Sequence, residues 1–128
     1  MKTLHFLRHA KSDSDDASLD DHARPLAKRG IKAAKAMAGD MAAIGFAVDR
    51  VFSSTARRTR ETYDLVKPAL GDTPATFRDE LYLIEPRTLL AFIQELPDSA
   101  GSVMLIGHDP GFHTLASTLT RKARTPSD

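Results

Sequence analysis

Thr3-Leu4-His5-Phe6-Leu7-Arg8-His9 decides how the rest of the chain is read. Residues 3–7 form a short apolar run of the length of a buried strand, and burial on both faces is typical of parallel sheets. The pair Arg8-His9 then stands at the mouth of that strand. In an open α/β sheet, ligands bind just outside the carboxyl ends of the strands. An imidazole at that place, with a guanidinium beside it, can meet a phosphoryl group with a nitrogen nucleophile and a fork of N–H donors. His5, inside the run, reads as a packed histidine rather than a ligand.

Working outward, the chain repeats this unit. Arg24-Pro25-Leu26 is expected to open a helix, since Pro suits a first turn, and Ile31, Ala34, Ala38 and Met41 recur at helical spacing until Gly45. A strand is expected at 48–52. Ser53-Ser54 would then cap a helix carrying Arg57, Arg58, Arg60, Tyr63, Leu65 and Val66, with Pro68 marking its end region. Gly71, Asp72 and Pro74 punctuate a turn before a short extended piece at 75–77, and Asp79-Glu80-Leu81-Tyr82 reads as loop. Glu85-Pro86 starts another helix, in which Leu89, Phe92, Ile93 and Leu96 form one apolar stripe. Val103-Met104-Leu105-Ile106 is the clearest buried strand, and Phe112, Leu115, Ala116 and Leu119 repeat the helical stripe beyond it. Strand and helix thus alternate four times. That order predicts an α/β fold, a three-layer α/β/α sandwich around a mainly parallel sheet with right-handed crossovers.

Composition narrows the function classes. The 128 residues fit one domain, 1–128, with 121–128 expected to be a mobile tail. Lys plus Arg number 18 against 17 for Asp plus Glu, so a net charge of +1 gives no general attraction to nucleic acid or membrane. Aromatics at 6% further weaken a nucleic-acid reading. With no cysteine, disulfides and thiolate metal sites are excluded, and a reduced compartment is compatible. The N-terminal run is broken by His5 and Arg8 before it reaches the length of an export signal, and no segment has the apolar length of a membrane span. A soluble, cytoplasmic monomer is expected. The five aspartates between residues 11 and 21 lack the spacing of a calcium loop and read as a solvated loop.

Three segments fall at predicted strand ends: Arg8-His9, residues 53–58, and Gly107-His108. Topology therefore predicts that they converge. Two histidines, arginines and a helix N-terminus in one pocket suit a tetrahedral dianion better than a metal, because a dication would be repelled. Gly107 and Gly111 let the backbone approach a bound oxygen. Taken alone, Arg57, Arg58 and Arg60 on one helix read as a solvated basic face; His22 and His113 read as surface residues, His113 close enough to His108 to line the pocket, and Tyr82 as an ordinary loop anchor rather than a residue that stacks on a substrate ring.

Four ordered motifs, Arg8-His9-Ala10-Lys11-Ser12, Arg24-Pro25-Leu26-Ala27-Lys28-Arg29-Gly30, residues 53–62 (Ser-Ser-Thr-Ala-Arg-Arg-Thr-Arg-Glu-Thr) and Ile106-Gly107-His108-Asp109-Pro110-Gly111, resemble the histidine phosphatase superfamily. The likeness is greatest to its short SixA-type phosphohistidine phosphatases. It implies a phosphoglycerate mutase-like fold and a metal-independent, cofactor-free phosphatase. His9 would be the nucleophile that becomes transiently phosphorylated, while Arg8, Arg58 and His108 bind the phosphoryl oxygens. The substrate would be a protein phosphohistidine. Alternatives are a small phosphomonoester handled by a phosphatase or mutase-like enzyme of the same mechanism, and a non-catalytic phosphate-binding module.

In mutase-like relatives a glutamate protonates the leaving oxygen, and Glu80, or Asp79 beside it, lies in the comparable region without the rest of that motif. An alkoxide needs such an acid, whereas imidazole, with a reference pKa of roughly 6.5, departs far more easily. The resemblance also implies a further strand after the last helix. Residues 121–128 offer none, so either the domain is minimal or its C-terminal end is missing.

Overall fold

In the computed structural model, residues 3–9 and 20–108 are described. Four strands, β1 (Thr3–Arg8), β2 (Arg50–Ser54), β3 (Ala75–Arg78) and β4 (Ser102–Gly107), alternate with helices α1 (Lys28–Ala43), α2 (Arg57–Leu70) and α3 (Pro86–Gln94). The strands form one sheet in the order β1-β4-β2-β3, every pair parallel. The aspartate-rich loop before Asp20, the helical stripe from Phe112 to Leu119, His113, Gly111 and the tail lie outside the described residues.

Sequence alternation explains the layers. β4 is flanked on both sides, and Val103, Met104, Leu105 and Ile106 are all buried. Val103 and Leu105 pack with Phe52, Leu81, Leu89 and Ile93 on the α3 side. Met104 and Ile106 pack with Met41, Val51, Tyr63 and Val66 on the side of α1 and α2. The period of two thus divides one apolar run between two cores, which makes the α/β/α sandwich. Among the described residues no helix is long and apolar enough to cross a membrane.

Three expectations need correction. α1 begins at Lys28 with Ala27 as its N-cap, not at the Arg24-Pro25-Leu26 turn. The reason is tertiary: Leu26 is buried in an isolated β-bridge, with its N–H given to Glu61 Oε1 at 2.8 Å, and the backbone stays extended through Ala27 at φ −74° and ψ 160°. β2 runs two residues further than the expected 48–52 and starts two later, because Ser53 and Ser54 pair in register with Phe77 and Arg78 of β3. Consequently these serines belong to the strand, and α2 has Ala56 as its N-cap. The hydroxyl of Ser54 still accepts the N–H of Ala56 at 3.2 Å, which tightens the strand-to-helix turn. Pro68 does lie in the end region of α2, which closes at Leu70 with Gly71 as its C-cap, whose φ of 62° is open to glycine at little cost.

Candidate active site

Parallel pairing brings the carboxyl ends of β1, β4 and β2 to one edge. His9 extends the β1/β4 ladder one residue past the strand by donating its N–H to the carbonyl of Gly107 at 3.0 Å. His108 follows β4 directly, and the two imidazole centroids are 5.4 Å apart. Between them lies Arg58, which the first turn of α2 carries into the interior, where it is 4% exposed.

The guanidinium of Arg58 joins the site together. Its Nε–H donates to His9 Nε2 at 3.3 Å, and its Nη2 donates to His108 Nδ1 at 3.2 Å. A guanidinium has no acceptor, so both imidazole nitrogens must present lone pairs. His9 therefore carries its proton on Nδ1 and presents its Nε2 lone pair to Arg58. His108 carries its proton on Nε2, which donates to Ser54 Oγ at 2.8 Å. Burial, then Arg58 and His9, depress the His108 pKa to about 3, so this imidazole is neutral at physiological pH.

Asp21 completes the cluster. Its backbone carbonyl accepts from Arg58 Nη1 at 2.6 Å and its carboxylate from Nη2 at 3.0 Å. The hydroxyl of Tyr82 donates to the same carboxylate oxygen. That bond, with help from Arg58, lowers the Asp21 pKa, whereas burial and Asp21 raise that of Tyr82. Tyr82 packs edge-on against His108 at 5.4 Å and against His22 at 4.9 Å. Four of the five N–H donors of Arg58 are thus engaged, two of them by an internal carboxylate and carbonyl standing where an anionic ligand would be attracted.

His9, Arg58 and His108 are brought together as the sequence predicts. Arg8 is the last residue of β1, exposed and opposite Gly107, and strand alternation places it on the face shared by Leu4 and Phe6. Glu80 lies elsewhere. It is exposed, forms an ion pair with Arg78, and lines a cleft of about 390 Å³ with Arg50, Phe52 and Phe92. Asp79, on the same 3-10 turn, is nearer the site, accepting from Thr55 Oγ1 at 2.5 Å, and Thr55 in turn meets His22 Nε2 at 3.0 Å. Arg57 and Arg60 are exposed, Arg57 paired with Glu61 at 3.4 Å and Arg60 over the Phe77 ring at 5.5 Å. Among the described residues no group of three His, Asp or Glu side chains converges to hold a metal ion.

The model of branch 1 of the histidine phosphatase superfamily matches residues 4–84, a span that contains Arg8, His9, Arg58 and Glu80. The chain belongs to the histidine phosphatase superfamily. Within it, this histidine phosphatase is SixA-like. A SixA from Agrobacterium tumefaciens, assigned as a phosphohistidine phosphatase, superposes with a TM-score of 0.84 at 30% identity, covering 100% of this chain and 86% of that one. A SixA from Nakamurella multipartitia gives a TM-score of 0.84 at 33% identity over 98% and 69% of the two chains. An uncharacterized protein of Mycobacterium tuberculosis strain H37Rv is 39% identical over 113 residues, which is 88% of this chain and 69% of that protein. A phosphoglycerate mutase from Plasmodium falciparum, 17% identical with a TM-score of 0.64, shares the fold.

Sequence reasoning missed Asp21 as a member of this histidine phosphatase's site, and it named neither Ser54 as the partner of His108 nor Tyr82 as the partner of Asp21. Asp21 is indistinguishable by type from its neighbours in an acidic loop. Ser54 carried a visible signal, its place just before the helix, but that signal pointed to a cap. Tyr82 is an anchor as expected, although what it anchors is the site itself.

Proposed function

We propose that this chain is a metal-independent phosphatase that acts through a phosphohistidine intermediate on His9, with protein phosphohistidine as its substrate. The observation that carries the reading is the Arg58 guanidinium donating to His9 Nε2 while also reaching His108. That arrangement identifies Nε2 as the unprotonated nitrogen and sets a cation beside the phosphorus it would attack. In the first step the Nε2 lone pair forms the bond to phosphorus as the bond to the leaving group breaks in line. In the second, water attacks the same phosphorus and His9 departs. Arg8 and Arg58 would donate to the phosphoryl oxygens with His108 beside them, and such donors supply the main stabilisation that phosphoryl transfer needs.

The substrate class follows from proton supply. Asp21 is ionised, the Tyr82 hydroxyl is a weaker acid than usual, neutral His108 presents a lone pair, and the carboxylate of Glu80 is held by Arg78. An alkoxide leaving group finds no ready acid among these side chains. A phosphohistidine brings its own proton on the second ring nitrogen and departs as neutral imidazole, whose conjugate acid has a pKa of roughly 6.5. The likeness to SixA proteins assigned to phosphohistidine supports the same substrate.

The test is a comparison of a phosphohistidine peptide with an alkyl phosphomonoester. The expected result is a large preference for the peptide, retained within about threefold by Glu80→Gln, since one exposed charge contributes little. Preference for the ester, abolished by Glu80→Gln, would transfer the reading to a small-molecule phosphatase. Phosphate binding without turnover of either would leave a binding module.

A further inference from the structure

Ser54 is a fully buried hydroxyl at the end of β2 that both tightens a turn and meets His108. Its geometry asks for more. An imidazole with one proton can accept at only one nitrogen, and Arg58 Nη2 takes the Nδ1 lone pair of His108. The proton must then be on Nε2, 2.8 Å from Ser54 Oγ, so this oxygen is an acceptor. It also accepts the N–H of Ala56 at 3.2 Å, which commits its second lone pair and fixes the oxygen in place. His108 itself is 3% exposed, with no room to turn toward water.

We propose that Ser54 is a positioning residue: by holding the Nε2 proton of His108 it keeps the Nδ1 lone pair directed at the phosphoryl site, ready to take a proton there. The inference rests on the phosphatase reading. When a phosphoryl group enters, Arg58 turns its donors to the incoming oxygens and releases Nδ1. Ser54, pinned by Ala56, does not move, so the tautomer survives. A phosphoryl monoanion then passes its P–O–H proton to Nδ1. No other bond changes: the phosphoryl group becomes a dianion, and His108 becomes an imidazolium donating from Nδ1 to phosphate and from Nε2 to Ser54. Resting His108 is neutral because burial and Arg58 oppose a cation there; the negative charge of the entering phosphoryl group, and the turn of Arg58 toward it, offset that opposition and let Nδ1 take the proton.

The experiment is nitrogen NMR on protein labelled at the histidine rings, with inorganic phosphate as the probe. In the resting wild-type protein His108 should show a protonated Nε2 and a bare Nδ1. Phosphate should protonate Nδ1 while Nε2 stays protonated. Ser54→Ala should leave a mixture of tautomers and lower kcat/KM about ten- to a hundredfold, the size of one lost hydrogen bond to a charged partner. Ser54→Cys, which retains a weak acceptor, should fall between the two. A resting wild-type His108 protonated on Nδ1, or phosphate binding that leaves Nδ1 bare, overturns the proposal even if Ser54→Ala fails to fold. Neither result bears on whether His9 is phosphorylated, so a failure here is distinguishable from a failure of the phosphatase reading.

Discussion

Acid should unload stability from this protein through one side chain, His108. Its pKa is about 3 in the fold, against 6.5 for an ordinary histidine, because burial and the Arg58 charge oppose a cation there. Between those two values the unfolded chain binds nearly one more proton at this position than the folded chain. The sign follows from linkage: the contribution is full above 6.5, and it is lost as pH falls from 6.5 toward 3. Over the two units from pH 6 to pH 4 the loss is about 2.5 kcal/mol, at up to about 1.4 kcal/mol per unit. That is a large part of the roughly 5–15 kcal/mol by which small domains are stable. Asp21, also depressed, loses its contribution only below its ordinary 3.8, at the foot of this window. The assay is urea unfolding at pH 7, 6, 5 and 4 in a buffer free of phosphate, since an anion at the site would raise the His108 pKa. His108→Asn should be less stable at neutral pH yet lose stability less steeply as pH falls, and the difference in slope isolates this imidazole. Parallel lines for the two proteins between pH 6 and pH 4 would refute the reasoning.

Arg58→Lys keeps the charge but loses the fork that reaches His9, His108 and Asp21 together, so kcat/KM should fall about 10²- to 10³-fold, the cost of one lost oxyanion donor. Steady-state turnover of a phosphohistidine peptide checks this, and a change under threefold would contradict it. Tyr82→Phe removes the bond that lowers the Asp21 pKa most, so this carboxyl should titrate closer to its ordinary 3.8, as read by carbon NMR of the labelled aspartate. Leu105→Ala, at a fully buried position in the central strand, should cost about 2–5 kcal/mol in urea unfolding while the site chemistry persists at low temperature.

What the sequence revealed, and what it concealed, divides along the range of the interactions. β4 is legible because four consecutive apolar residues are needed to fill a position between two strands. α3 is legible because Pro86 stands at its first turn and the stripe behind it is regular. The extension of β2 is hidden, since Ser53 and Ser54 look like turn residues and are fully buried; their hydroxyls are satisfied by the Ser54 carbonyl, the Ala56 N–H and His108. The start of α1 follows a bridged, extended Leu26 that is tied to Glu61, 35 residues downstream, and no local pattern announces it. In the site, His9, Arg58 and His108 are legible from topology because each lies just past a strand end. Asp21 and Tyr82 are 61 residues apart and are joined only by the fold.

The most direct test of the account is to identify the residue that carries phosphate during turnover. Protein mixed with labelled phosphohistidine substrate is quenched rapidly into alkali, which preserves phosphohistidine, and the labelled peptide is mapped. The account predicts an acid-labile label on His9, absent from His9→Ala, which should also lose turnover. Label on another residue, or full turnover by His9→Ala, would contradict it.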